Sequence, residues 1–355
     1  MRFVPIHCLQ EGMILGDNLF NNHGELLLSM GVALTGDYLK SIQRLKYNGV
    51  YIDDDISKDL PVLNLISNSV KSETIKGIKN IFIRSEKSKP NIKEEMKGAK
   101  KQIDKIVEEI FSNNSTMVNI VDMKVFDDYT YYHSVNVAVL SIVIGVALDM
   151  DKEELRNLGF AALLHDIGKV FISKDILNKQ SHLTPDEFEV IKNHSLLGSD
   201  HLKKEYYIND RSYMGILDHH ERYGGGGYPN NIKGVRISLY GRIISIADVY
   251  DALTSDRPYS KALLPSEAME YIMGATMTLF DPKIVEIFAK KIAAYPIGTS
   301  VKLSNGLTGI VIDNFEDLCM RPTVRVFKDG EVDVEPYELA LSDRKYFNIT
   351  IIQVV

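Results

Sequence analysis

The stretch "EELRNLGFAALLHDIGKV", residues 153–170, opens as an apolar helix and closes on a polar pair, His165-Asp166. Apolar residues recur through it at helical spacing, which predicts a helix buried in an all-helical core. An imidazole and a carboxylate at the end of such a run are costly to bury unless something binds them, and a metal ion does so. A helix turns about 100° per residue, so adjacent side chains diverge and suit two sides of a metal pair better than one chelate. Lys169, four residues after His165, is expected on the same face.

Helical spacing extends outward through "TYYHSVNVAVLSIVIGVAL", "TPDEFEVIKNHSLLGSDHL" and "RIISIADVYDALTS". Thr184 as N-cap, Pro185 at the first helical position and Glu187 three residues after the cap predict a helix start. The run "VAVLSIVIGVAL", 137–148, is shorter than the roughly 20 residues that span a bilayer and reads as a buried helix. Residues 1–60 read as a small β-rich module with one helix near 35–48. Residues 61–114 read as a helical connector and charged linker, with a break over the polar stretch 84–101 that contains Pro90.

In that connector Met96, Ala99, Ile103, Ile106 and Ile110 form one apolar helical stripe, which is either core packing or the seam of a homodimer. The centre, 115–295, is all-α. After Pro296 alternating runs with Asn-Gly and Asp-Gly turns predict a small β-barrel or meander over 296–355. The expected class is mainly α, an all-helical domain flanked by two small β-rich modules.

The chain has 355 residues, 45% hydrophobic and 25% charged, as in ordinary globular proteins. Its formal charge of −7 argues against broad binding to large nucleic acids and leaves room for a local basic pocket. Cys8 and Cys319 lie far apart without metal-binding spacing, which fits a reducing cytoplasm. No apolar run follows the basic start, so the N-terminus is expected to be retained, and no membrane partner is expected.

Five of the nine histidines sit in local patterns: His133 in "HSVNVA", His165 in "LLHDIGK", His194 in "IKNHSLLG", and His219 and His220 in "LDHHERYGGGGYP". Asp248 lies in "IADVYDAL". His7, His23, His182 and His201 receive no role. Imidazole and carboxylate without thiolate favour iron, manganese or zinc. Two ions about 3.5–4 Å apart hold a bridging hydroxide and stabilise an in-line phosphoryl displacement, so phosphoester hydrolysis is the natural chemistry.

Residues 115 to about 294 resemble the HD-GYP family, a branch of the HD-domain metal-dependent phosphohydrolases. The resemblance rests on His165-Asp166, Gly227-Tyr228-Pro229, "HDIGKVFISKDILNK", "IKNHSLLG", "HHERY" and "RIISIADVYDALTSDRPY". It implies a five-helix core with extra helices and two divalent metals, iron or manganese. The implied ligands are His133, His165, Asp166, His194, His219, His220 and Asp248, with Asp166 bridging. It further implies cyclic di-GMP as substrate, opened to pGpG by a metal-bridging hydroxide, with cleavage of pGpG on to GMP left open. Asp166 and Lys169 would be catalytic, and Lys169 and Arg257 would contact phosphate.

Tyr228 either stacks on guanine or packs the loop. Three departures from the family pattern stand out. Tyr129 replaces an acid that joins a third metal, which predicts two metals. Gly224 replaces an aspartate, which predicts a less ordered loop. Ser260 followed by Lys261 alters a second phosphate contact. The alternatives are a hydrolase of a mixed cyclic dinucleotide such as cyclic GMP-AMP, and a cyclic di-GMP receptor without turnover.

Overall fold

The computed structural model describes residues 1–355 except 21–25, 46, 48, 58, 61–64, 87–92, 113–116, 118–128, 180 and 256–261. The chain divides into two compact units. The first draws on both ends of the chain, Met1–Asn64 and Ala289–Val355, together with Ser115–Tyr129. The second combines Leu65–Asn114 with Thr130–Phe288.

In the first unit the front segment carries β1 (Arg2–Pro5), β2 (Ile14–Leu15), β3 (Leu19–Phe20), β4 (Leu26–Leu28), α1 (Gly36–Arg44) and β5 (Gly49–Asp53). Strand β5 lies between β1 and β2, antiparallel to both, and its Val50 and Ile52 pack with Leu15 and with Ile42 of α1. The Thr35 hydroxyl caps α1 by accepting the Tyr38 N–H at 3.4 Å. The rear segment carries β6 (Ser300–Leu303), β7 (Leu307–Asp313), β8 (Thr323–Asp329), β9 (Val332–Ala340) and β10 (Ile351–Val354).

These five form one antiparallel sheet in the order β10-β6-β7-β8-β9, a meander whose last strand returns beside its first. Asn305-Gly306 lies in the β6–β7 turn, and Gly330 opens the β8–β9 turn directly after Asp329, the last residue of β8. The two segments meet directly. Phe3 N–H donates to the Gly298 carbonyl at 3.1 Å, and the Arg325 guanidinium grips both oxygens of Asp59 at 2.7 and 2.8 Å.

The second unit is helical: α2 (Asn68–Glu86), α3 (Lys93–Ser112), α4 (Tyr129–Ala147), α5 (Lys152–Leu163), α6 (Lys174–Leu177), α7 (Pro185–Lys192), α8 (His194–Tyr206), α9 (Asp210–Asp218), α10 (Leu239–Leu253), α11 (Pro265–Gly274) and α12 (Pro282–Lys291). The stripe Met96, Ala99, Ile103, Ile106 and Ile110 is buried on α3, which packs against α2 and α5. Core packing is therefore its role, and the dimer seam is corrected, because the chain's own helices cover the face. Each fully buried isoleucine there contributes about 1.5–3 kcal/mol.

The break expected over 84–101 is also narrower. Helix α2 runs to Glu86 and α3 starts at Lys93, so only 87–92 remain between them, outside the described residues. Glu94 and Glu95 sit in the first turn of α3, where the helix dipole favours acids, and Glu95 pairs with Arg84 at 2.8 Å. The described parts of the polar stretch, on either side of 87–92, belong to helices, which composition alone does not separate from a linker.

Helix α4 extends the apolar run beyond 137–148 and is buried, as expected. Its 18-residue stretch Thr130–Ala147 is long and apolar enough to cross a membrane by length and composition, and 72% of it is buried within the protein. A helix that is apolar all round is a central core helix when its neighbours cover it. Helix α7 begins as the sequence predicts: Glu187 N–H donates to Thr184 Oγ1 at 3.2 Å, and Thr184 N–H to Glu187 Oε2 at 2.7 Å.

Candidate metal centre

Three helices of the second unit stop at a histidine. Helix α5 ends at Leu163 and is followed by Leu164 and His165; α7 ends at Lys192 just before Asn193 and His194; α9 ends at Asp218, capped by His219. The last carbonyls of a helix lack intrahelical partners. Each of these rings turns Nδ1 back to the carbonyl three residues before it: His165 to Ala162 at 2.8 Å, His194 to Ile191 at 2.7 Å and His219 to Ile216 at 2.6 Å. Nδ1–H is then the donor, so Nε2 keeps its lone pair and points into the interior, as a ligating imidazole requires.

The expectation that one helix runs through His165 to Lys169 is corrected here. Past the turn at His165-Asp166 the chain tightens into a 3₁₀ segment, Ile167–Phe171. Gly168 explains the geometry, since a Cβ there would stand 1.8 Å from the His194 carbonyl oxygen and 2.7 Å from the Gly198 nitrogen. Only a glycine lets this segment press against the start of α8. Lys169 consequently reaches back three residues, and its ammonium donates to Asp166 Oδ2 at 2.6 Å.

The donors fall into two groups. Asp166, His194, His219 and His220 bring one donor atom each within 4.8 Å of one another, as do His133, His165 and Asp248. Asp166 faces both, with Oδ1 3.5 Å from His194 Nε2 and Oδ2 3.4 and 3.9 Å from Nε2 of His165 and His133. Asp248 Oδ1 lies 3.1 Å from His133 Nε2 and 4.0 Å from His165 Nε2. Two nitrogen ligands of one ion, each about 2.1 Å from it, stand at most about 4.2 Å apart. Each group therefore fits an ion after small side-chain adjustments.

Two polar atoms decide the fit. His165 Nε2 and Asp166 Oδ1 are buried and make no hydrogen bond. Buried polar atoms are nearly always paired, and a divalent cation among imidazoles and carboxylates would satisfy both. Electrostatics agrees. Burial pushes His220 down to about 3, and burial with the neighbouring rings holds His219 well below the usual histidine value, so both rings stay neutral and able to coordinate.

Burial opposes charge on Asp166 as well, but Lys169, His165 and His194 outweigh it and hold the carboxyl well below its ordinary range. At Asp248 the His133 hydrogen bond and the surrounding imidazoles likewise overcome burial. Burial opposes charge on His133 too, yet hydrogen bonds to Asp248 and Asp251 raise it to about 9.

The glycine loop is tied down more firmly than the Gly224 substitution predicts, which corrects that expectation. Tyr223 and Gly224 donate their N–H groups to the carbonyls of Leu279 and Thr278 at 3.0 and 2.8 Å, and Tyr228 N–H donates to the His220 carbonyl at 3.2 Å. Buried Glu221 accepts from Asn230 and Ile232 N–H at 2.7 and 3.1 Å. Gly227 allows the return, since a Cβ would lie 2.4 Å from the Arg222 nitrogen. The Tyr228 ring stacks on His220 with centroids 4.7 Å apart.

Arg257 and Lys261 lie outside the described residues, as does the side chain of Tyr129. Asp251, Asn136 and Glu221 carry structural roles that the motif reading left unassigned. Asp251 and Asn136 lie three residues after Asp248 and His133 on the same helices, a spacing that could have flagged them.

Residues 108–284 match the family model for the HD domain. A cyclic di-GMP phosphodiesterase of Pseudomonas aeruginosa is 36% identical over 63% of this chain and 54% of its own length. A cyclic di-GMP phosphodiesterase of Thermotoga maritima is 32% identical over 67% of this chain and 65% of its own length. A 3'3'-cGAMP-specific phosphodiesterase of Vibrio cholerae is 37% identical over 46% of this chain and 37% of its own length. The chain thus spans between about a third and two thirds of these curated relatives. With its His-Asp pair at 165–166 and Gly-Tyr-Pro at 227–229, the chain belongs to the HD-GYP branch of the HD-domain family.

Proposed function

We propose that this protein is a metal-dependent phosphodiesterase that opens cyclic di-GMP to pGpG and cleaves it on to GMP. The observation that carries the reading is the pair of donor groups facing the two oxygens of Asp166. Two divalent ions, iron or manganese, would lower the pKa of a water and offset charge on the phosphoryl group. His194, His219 and His220 would hold one ion and His133, His165 and Asp248 the other, with Asp166 facing both groups.

Lys169 supplies the mobile cation. Its ammonium rests on Asp166 at 2.6 Å with a 37% exposed side chain, so a phosphate arriving from solvent exchanges one anionic partner for another. By the family resemblance Arg257 and Lys261, outside the described residues, would be the further cationic contacts for phosphate, and Tyr228 stacks beside His220. Two unpaired cysteines, one of them buried, fit a cytoplasmic setting.

The cGAMP-specific relative supports a second reading, hydrolysis of a mixed cyclic dinucleotide, because donors that act on phosphate do not read bases. Protein reconstituted anaerobically with Fe²⁺ or Mn²⁺ is incubated in parallel with cyclic di-GMP and 3'3'-cGAMP, beside an Asp166→Ala control. Cyclic di-GMP is expected to give pGpG and GMP only with the intact site. Preferential loss of cGAMP selects the second reading, and survival of both nucleotides with metal bound rejects hydrolysis.

A further inference from the structure

His133 is placed differently from the three rings that end helices. It lies inside α4, and the carbonyl three residues before it, on Thr130, already accepts the Ser134 hydroxyl at 3.0 Å. Its Nδ1 turns instead to Asp251 Oδ2 at 2.7 Å. The same carboxylate accepts Asn136 Nδ2–H on Oδ1 at 2.8 Å, while the Ser255 hydroxyl donates to the Asp251 main-chain carbonyl and lies 3.2 Å from Oδ2. Asp251 is 3% exposed, and its neighbour one turn back on α10 is Asp248, which faces His133 Nε2 at 3.1 Å. One ring is thus held between two carboxylates of one helix.

An ionised carboxylate only accepts hydrogen bonds, so the two donors that converge on it, His133 and Asn136, fix its orientation, and it in turn fixes Nδ1–H on His133. A carboxylate partner also leaves Nε2 a stronger donor than a backbone carbonyl does. We propose that Asp251 is a positioning residue that sets the metal affinity of the His133–His165–Asp248 group without touching metal or substrate. The inference rests on the reading of His133 as a ligand and goes beyond it: the two ion positions are unequal, and one depends on Asp251.

Asp251→Asn keeps the volume but replaces an acceptor with an NH₂, which must confront a donor of either His133 or Asn136. Iron-free wild type and variant are titrated with Mn²⁺, and the free ion is counted by its electron paramagnetic resonance signal. Wild type is expected to bind two ions. The variant should keep one at wild-type affinity and bind the other about 10–100-fold more weakly. Nitrogen-15 spectra of the Zn²⁺-loaded proteins should show the His133 ring signals alone losing their wild-type tautomer pattern.

Circular dichroism checks folding, and Asn136→Ala, which leaves the carboxylate in place, carries the test if Asp251→Asn does not fold; it should weaken the same ion by a smaller factor. Equal weakening of both ions in a folded variant, or of neither, overturns the inference. A wild type that binds fewer than two ions fails at the two-metal reading instead.

Discussion

His165, His194 and His219 each solve two problems with one ring: Nδ1–H satisfies a carbonyl that a helix end would otherwise bury unpaired, and Nε2 is left to face a cation. The arrangement depends on how closely the 3₁₀ segment approaches α8, and Gly168 controls that distance. Gly168→Ala would drive a Cβ to 1.8 Å from the His194 carbonyl oxygen, a backbone atom that cannot rotate aside. The variant is expected to lose about 1–3 kcal/mol in urea unfolding, and to bind Mn²⁺ more weakly because His194 shifts with its carbonyl. Gly77, inside α2, has nothing within 4 Å of an added Cβ, so Gly77→Ala should stabilise by about 0.5–1 kcal/mol. Equal stability of the two variants would mean that the close approach does not hold in solution.

At the level of elements, α7 sets the direction from which His194 enters, and its start rests on the reciprocal bonds of Thr184 and Glu187. Thr184→Ala removes the acceptor for one orphan N–H and should cost about 1 kcal/mol. Thermal unfolding measures this, and an unchanged midpoint would show that Pro185 alone fixes the start. That cap was legible in the sequence because its partners are three residues apart, and the α3 stripe was legible because Met96 to Ile110 repeats at helical spacing. The break expected over 84–101 was placed too widely because charge was taken to mark a connection, when a helix packed on one side tolerates any polarity on the other. The helix end at Leu163 was hidden because it answers to Gly168 meeting α8, a contact between segments some 30 residues apart in the chain. Asp251 was legible as a candidate from its spacing three residues after Asp248, but its bond to His133, 118 residues away, was not. The joining of both chain ends in one unit rests on pairs such as Arg325 with Asp59, which no local pattern announces.

For the whole molecule, gathering five imidazoles around two carboxylates makes stability depend on pH, and the direction follows from which state binds more protons. Burial lowers His220 from 6.5 to about 3 and holds His219 well down, so between about pH 3 and 6.5 the unfolded chain binds protons that the folded one refuses. Stability therefore rises with pH across that window. Asp166 and Asp248, held well below 3.8, act in the same direction at more acid pH, where the stability they contribute is lost as pH falls.

His133 acts oppositely. Burial works against its charge, but Asp248 and Asp251 raise it from 6.5 to about 9, so its contribution is complete below 6.5 and is lost as pH climbs through 9. The two limbs meet near pH 6.5, where protein kept in a chelator should melt at its highest temperature, with lower midpoints at about pH 5 and pH 9. His220→Gln should flatten the acid limb and leave the alkaline limb in place. Saturating Mn²⁺ should remove the alkaline limb, because an ion on His133 Nε2 takes the place of the proton whose loss destabilises the fold. A midpoint that rises steadily from pH 5 to 9 in chelator would show that the carboxylates of α10 do not hold the His133 proton.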